Sequence, residues 1–154
     1  MRTLRYAVLL LATVLVGGAR AHAVLAESSP AAGAVLSAPP EAVVLTFSEG
    51  VEVDFSLFRV ARLDVDFDVT ADDAGLRLNG LAAAIIGPYL DGEPGGDEEV
   101  AVEATAVAGS RSQVELRFAS QPLPPGSYVV MWRVLSEDTH VIAGHLVFSV
   151  LASE

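Results

Sequence analysis

From residue 24 onward, apolar and polar positions alternate in short runs separated by turn residues, a period-2 pattern that predicts strands rather than helices. Residues 43–48 (VVLTFS) place Val43, Leu45 and Phe47 on one face and Val44 and Thr46 on the other. Glu49-Gly50 ends that run, and residues 53–60 are expected to continue in extended form. Residues 64–70 (DVDFDVT) alternate aspartate with apolar side chains, as a half-exposed strand would. Residues 71–75 read as a turn, 76–78 as the start of another strand, and 81–86 as a helical turn or two. Order returns at 100–107 and 113–119, and Pro122, Pro124-Pro125 and Gly126 turn the chain into 127–135. There Tyr128, Val130, Trp132 and Val134 share a face expected in the core, with Met131 and Arg133 on the other. In the last run Ile142, Leu146, Phe148 and Val150 share a face. Strands about ten residues apart, with no internal repeat, predict an all-β fold, a single Greek-key β-sandwich or barrel.

The first 21 residues read differently. Arg2 and Arg5 precede an apolar run at 6–16, and Ala19-Arg20-Ala21 forms a small-x-small cleavage site, so residues 1–21 are expected to be a signal peptide. The apolar run is about half of the roughly 20 residues that span a bilayer. Cutting after Ala21 leaves residues 22–154 as one domain that is periplasmic or secreted, with no membrane insertion of the mature chain. Ala21-His22-Ala23 also permits a cut after Ala23. The leader carries three arginines and no acids, so its removal takes the net charge from −11 to −14. An acidic surface without a single lysine argues against nucleic acid and anionic lipid. With no cysteine, disulfides, zinc–thiolate sites and thiol catalysis are excluded.

The candidate chemistry rests on three histidines. After cleavage at Ala21, the α-amine and ring of His22 together form a chelating pair. Asp138 and His140 stand two apart, so an extended segment points both to one side. That spacing alone fits equally a surface Asp–His hydrogen bond at a strand mouth. Taken together, the amine, two imidazoles and a carboxylate make a four-donor set suited to Cu(II), one ion per chain. Glu49 ends its strand where it could approach the metal or orient a ligand. His145 has the opposite parity and is expected to face solvent or a partner. The aspartates of 64–68 lack the spacing and glycine of a calcium loop. No nucleophile motif or phosphate loop is present.

HAVLAESSPAAGAVLSAPPEAVVLTFSEGVE, followed by PPGSYVVMWRVLSEDTHVIAGHLVFSV, resembles the CopC family of exported copper-resistance proteins. The shared pattern includes the N-terminal His-Ala, the Phe-Ser-Glu strand end, Gly-x-Tyr-x-Val-x-Trp and Ser-x-Asp-x-His. The resemblance implies a cupredoxin-like or immunoglobulin-like barrel that binds copper through His22, Asp138 and His140, with Glu49 nearby. It implies a copper buffer or delivery protein rather than an enzyme, with a membrane copper permease as a candidate partner. The methionine-rich loop of some members is missing, and residues 59–110 form a longer, acidic middle segment of unassigned role. Two other readings stay open: a copper redox enzyme with a histidine brace, and a metal-free adaptor for a permease.

Overall fold

The computed structural model describes residues 23–92 and 98–152. The expected signal peptide, residues 1–21, and His22 lie outside the described residues. Two antiparallel-rich sheets face each other. One carries β1 (Leu25–Ser29), β3 (Ala42–Phe47), β7 (Gln113–Phe118) and β6 (Val102–Ala106), in the order β1-β3-β7-β6. The other has the order β2-β9-β8-β4-β5, built from β2 (Val35–Leu36), β9 (Val141–Val150), β8 (Gly126–Leu135), β4 (Leu57–Leu63) and β5 (Glu99–Val100). The chain changes sheets at Ala101. Val100 pairs with Val60 in one sheet and Val102 with Phe118 in the other, which turns a corner between the layers.

The alternating strands supply the core between the sheets. Val43, Leu45 and Phe47 of β3 meet Val114, Leu116 and Phe118 of β7, and across from them stand Val60, Tyr128, Val130, Trp132 and Phe148. Phe47 meets the Trp132 ring edge-on, with centroids 6.0 Å apart. Tyr128 stacks on Phe148 at 5.5 Å and donates its hydroxyl to the Pro124 carbonyl at 2.6 Å, so its polar tip is satisfied where the ring is buried. Gly144 is fixed by this packing, since a Cβ there would stand 2.6 Å from the Trp132 ring.

The middle segment departs from the sequence expectation. Residues 64–70 are not a strand: Asp68 accepts from the backbone N–H and hydroxyl of Thr70 at 2.8 and 2.7 Å, so the carboxylate closes a local turn instead. Nor do residues 76–78 begin one, because they belong to an 18-residue helix, α1 (Ala74–Asp91). The apparent alternation of Leu76 and Leu78 hid a helical register in which Ala74, Leu78, Ala82 and Leu90 are buried and Leu76 is 80% exposed. Residues 53–60 likewise begin with a 3-10 turn at Val53–Phe55 before β4 starts.

Helix α1 covers the outer face of the five-stranded sheet, packing on Ala61, Leu63, Val129, Met131 and Val147. Three arginines hold it down. Arg77 lies 3.7 Å over the Phe67 ring, Arg133 pairs with Asp91 at 2.5 Å, and buried Arg59 bonds Glu99 at 2.8 Å and the Gly92 carbonyl at 3.3 Å. Two of these cations stand at the helix C-terminus, where the dipole favours positive charge. Gly80 sits mid-helix, and a Cβ there would meet no atom within 4 Å. Gly80→Ala is therefore expected to raise unfolding stability by about 0.5–1 kcal/mol in urea denaturation, because alanine loses less backbone entropy in a helix.

Candidate metal centre

The connection from β8 to β9 builds the only close Asp–His pair among the described residues. Thr139 takes the left-handed conformation with φ 71°, which lets residues 136–140 close as a tight loop. Ser136 N–H donates to the His140 carbonyl at 2.9 Å and Thr139 N–H to the Ser136 carbonyl at 2.9 Å. The Ser136 hydroxyl reaches both Asp138 Oδ1 and the His140 carbonyl, and His140 N–H donates to Asp138 Oδ1 at 3.2 Å. The result is a 2.8 Å contact between Asp138 Oδ2 and His140 Nδ1. Asp138 and His140 thus come together as expected, though through a turn with a left-handed residue and not through strand parity.

The Ser136 hydroxyl, and then the backbone and ring N–H groups of His140, hold the Asp138 carboxyl below its ordinary range. Those bonds stabilise the loop at every pH above that range and are lost as pH falls through the depressed value. The carboxylate takes Nδ1, so Nε2 is the ring nitrogen on the far side, presented from a side chain that is 56% exposed. Ser136 had no assigned role in the sequence reading. Its signal was the spacing, a hydroxyl residue two positions before the aspartate that accepts its bond.

The same end of the sandwich holds the start of the described chain. Ala23 is fully buried in the core, and Val24 exchanges bonds with Ser48, its N–H reaching Ser48 Oγ at 3.1 Å and its carbonyl accepting from Ser48 N–H at 2.8 Å. Two residues on, the Gly50 carbonyl accepts from Glu137 N–H at 3.0 Å, and Val51 bridges to Ser136. Segment 48–51 therefore ties the N-terminal strand to the Asp138–His140 loop. Glu49 lies in that tie, half-buried, and has no hydrogen-bond or ion-pair partner among the described residues. No three His, Asp or Glu side chains converge among the described residues, so the loop offers two donor groups, not a full set.

His145 faces away from this end, as its parity predicts, but not into solvent. It pairs across the sheet with Met131, on the side that α1 covers, and is half-buried with its Nε2 covered and unpartnered. Burial lowers its pKa below the ordinary imidazole value, which favours the neutral ring. The helix that buries it was not foreseen, so its expected exposure is corrected.

Comparison with known proteins bears on the whole chain. The CopC domain matches residues 25–96 and 83–151, two stretches that overlap in the second half of α1 and just after it. The chain belongs to the CopC family. Relatives include Protein YobA of Escherichia coli K12, 33% identical over 97% of this chain and 95% of that protein. Copper resistance protein C of Pseudomonas syringae pv. tomato is 30% identical over 86% of this chain and 82% of its own length. Among solved structures, CopC from Methylosinus trichosporium OB3b superposes with a TM-score of 0.59 at 26% identity, covering 86% of this chain and 97% of that one. PcoC, a methionine-rich copper resistance protein from Escherichia coli, gives 0.57 at 28% identity over 84% and 99%. In this CopC chain the described part contains one methionine, Met131, fully buried beneath α1. No described helix is long and apolar enough to cross a membrane.

Proposed function

We propose that this protein is an exported copper carrier or buffer that binds one Cu(II) at the end of the sandwich marked by Asp138 and His140. The observation that carries the reading is the pairing of those two side chains beside the tie that anchors Ala23. Ala23, the first described residue, stands at the same end of the fold and is joined to the residue that precedes it in sequence. If export cleavage falls after Ala21, that residue is His22 with a free amine. Its amine and ring nitrogens with His140 Nε2 make three nitrogen donors, and Asp138 supplies an oxygen or, from its present position, steadies the His140 ring. Glu49 is then the nearest further carboxylate on the tie. Such a set favours Cu(II), which stands at the top of the order of divalent first-row metals. The ion is read as cargo rather than as a catalyst, in keeping with the copper resistance proteins that this chain resembles. Glu52, Asp54, Phe55, Thr139, His140 and Val141 are exposed at this end, so copper can be exchanged with a membrane permease or another acceptor.

Copper must compete with protons for two imidazoles and the amine. Affinity is therefore expected to fall by more than about tenfold between pH 7.5 and pH 5. Isothermal titration of Cu(II) into protein beginning at His22 checks this, alongside protein beginning at Ala23. Equal affinities at the two pH values, or for the two starts, would overturn the proposal.

A further inference from the structure

Three large apolar side chains are left in solvent around the end that presents His140. Phe55 is 78% exposed, Val141 60% and Val24 56%. Each belongs to a segment tied to the 136–140 loop or its arms. Val141 follows His140 and pairs with Leu135. The turn carrying Phe55 is pinned to the same residue, Glu52 N–H donating to the Leu135 carbonyl at 2.8 Å and Leu135 N–H to Ser56 Oγ at 3.0 Å. Val24 is bonded to Ser48, on the segment that reaches Glu137 through Gly50. An exposed phenylalanine on a short turn gains nothing from this fold, whose core is closed beneath it.

The charge around these side chains is predominantly negative. Residues 48–56 and 136–141 hold Glu49, Glu52, Asp54, Glu137 and Asp138 and no lysine or arginine. The neighbouring cation, Arg111, is paired with Glu137. An open recess beside Phe55 is lined by Val51, Glu52, Val53, Asp54, Arg111 and Glu137. Apolar knobs ringed by acids are complementary to one kind of surface, an apolar patch rimmed by lysine or arginine. A second copy would bring the same acids face to face, and anionic lipid would be repelled as well.

We infer that Phe55, Val24 and Val141, with the acids Glu52 and Asp54, form the docking face for a protein partner that presents a basic rim around apolar side chains and exchanges copper there. This rests on the copper-carrier reading and adds the chemistry of the partner to it. No change of oxidation state is involved, because Cu(II) passes from one set of nitrogen donors to another.

The test uses two chelating peptides as probes, each starting Gly-Gly-His, one continuing with leucine and lysine and the other with serine and glutamate. Cu(II) titration of the wild-type protein comes first, and absence of binding there would overturn the carrier reading and this inference with it. Stopped-flow quenching of Trp132 fluorescence then follows copper exchange between protein and peptide. The basic apolar peptide is expected to exchange roughly tenfold faster at low salt, with most of the advantage gone near 0.5 M salt. Phe55→Ser and the double variant Glu52→Gln, Asp54→Asn should each remove most of that advantage while leaving equilibrium copper affinity unchanged. Asp64→Asn with Asp66→Asn, at the far end of β4, should leave it intact. Equal rates for the two peptides, no effect of Phe55→Ser, or an equal loss in the far-end variant would each overturn the docking face while the carrier reading stands.

Discussion

Cu(II) affinity is expected to drop by more than about 100-fold when His140 is replaced by alanine, exceeding the 10–100-fold usual for losing a group that only orients a ligand. The fold should not notice. The His140 side chain is 56% exposed, and alanine loses the ring's surface bond to Asp138 but retains the backbone carbonyl and N–H that close the loop. Stability within about 0.5 kcal/mol of wild type is the expected companion result. Competition titration against a chelator of known strength, with urea unfolding of the same samples, measures both. Ser136→Ala gives the contrasting pattern. It removes the hydroxyl that bonds Asp138 and the His140 carbonyl, so the loop loosens and copper affinity falls by about 10–100-fold through ring orientation alone. If His140→Ala bound copper as tightly as wild type, the ring would have no part in the site.

The largest effect on stability is expected at the other kind of position. Trp132→Ala should cost about 3–5 kcal/mol, since it removes a ring that packs edge-on to Phe47 and against the Gly144 backbone. Trp132 is 4% exposed, so the space left cannot simply fill with water at no cost. Thermal unfolding followed by circular dichroism checks the size of the loss. Trp132→Phe should recover much of it by retaining an aromatic face. A loss under about 1 kcal/mol would mean that the two sheets repack freely around the gap.

The strands were legible because their residues obey one rule for long enough. In 43–48 and 127–135 every second side chain is apolar and enters the space between the sheets, so face assignment followed from parity. Helix α1 was not legible in the same way. Leu76 and Leu78 mimic a strand for three residues, while Gly80, Gly87 and Pro88 break the composition into turn-like pieces. Only the sheet beneath it, with Met131, Val129 and Val147 awaiting cover, selects the helix. The burial of His145 was hidden for the same reason. At the candidate site, spacing brought Asp138 and His140 together on paper, but not the way the loop does it. The hydroxyl of Ser136 and the left-handed Thr139 act through bonds that exist only once the two strands have paired. His22 remains an inference from the cleavage pattern, supported by where Ala23 is anchored.

The two-residue lengths of β2 and β5 have a consequence beyond the sheet they complete. Long, flat flanks invite other chains to add on as further strands, and a stub of two residues gives such an intruder almost no backbone to grip. The sheet that carries α1 on its back ends in such a stub on each flank, β2 gripping only Ser149 and Val150 of β9, and β5 only Val60 and Ala61 of β4.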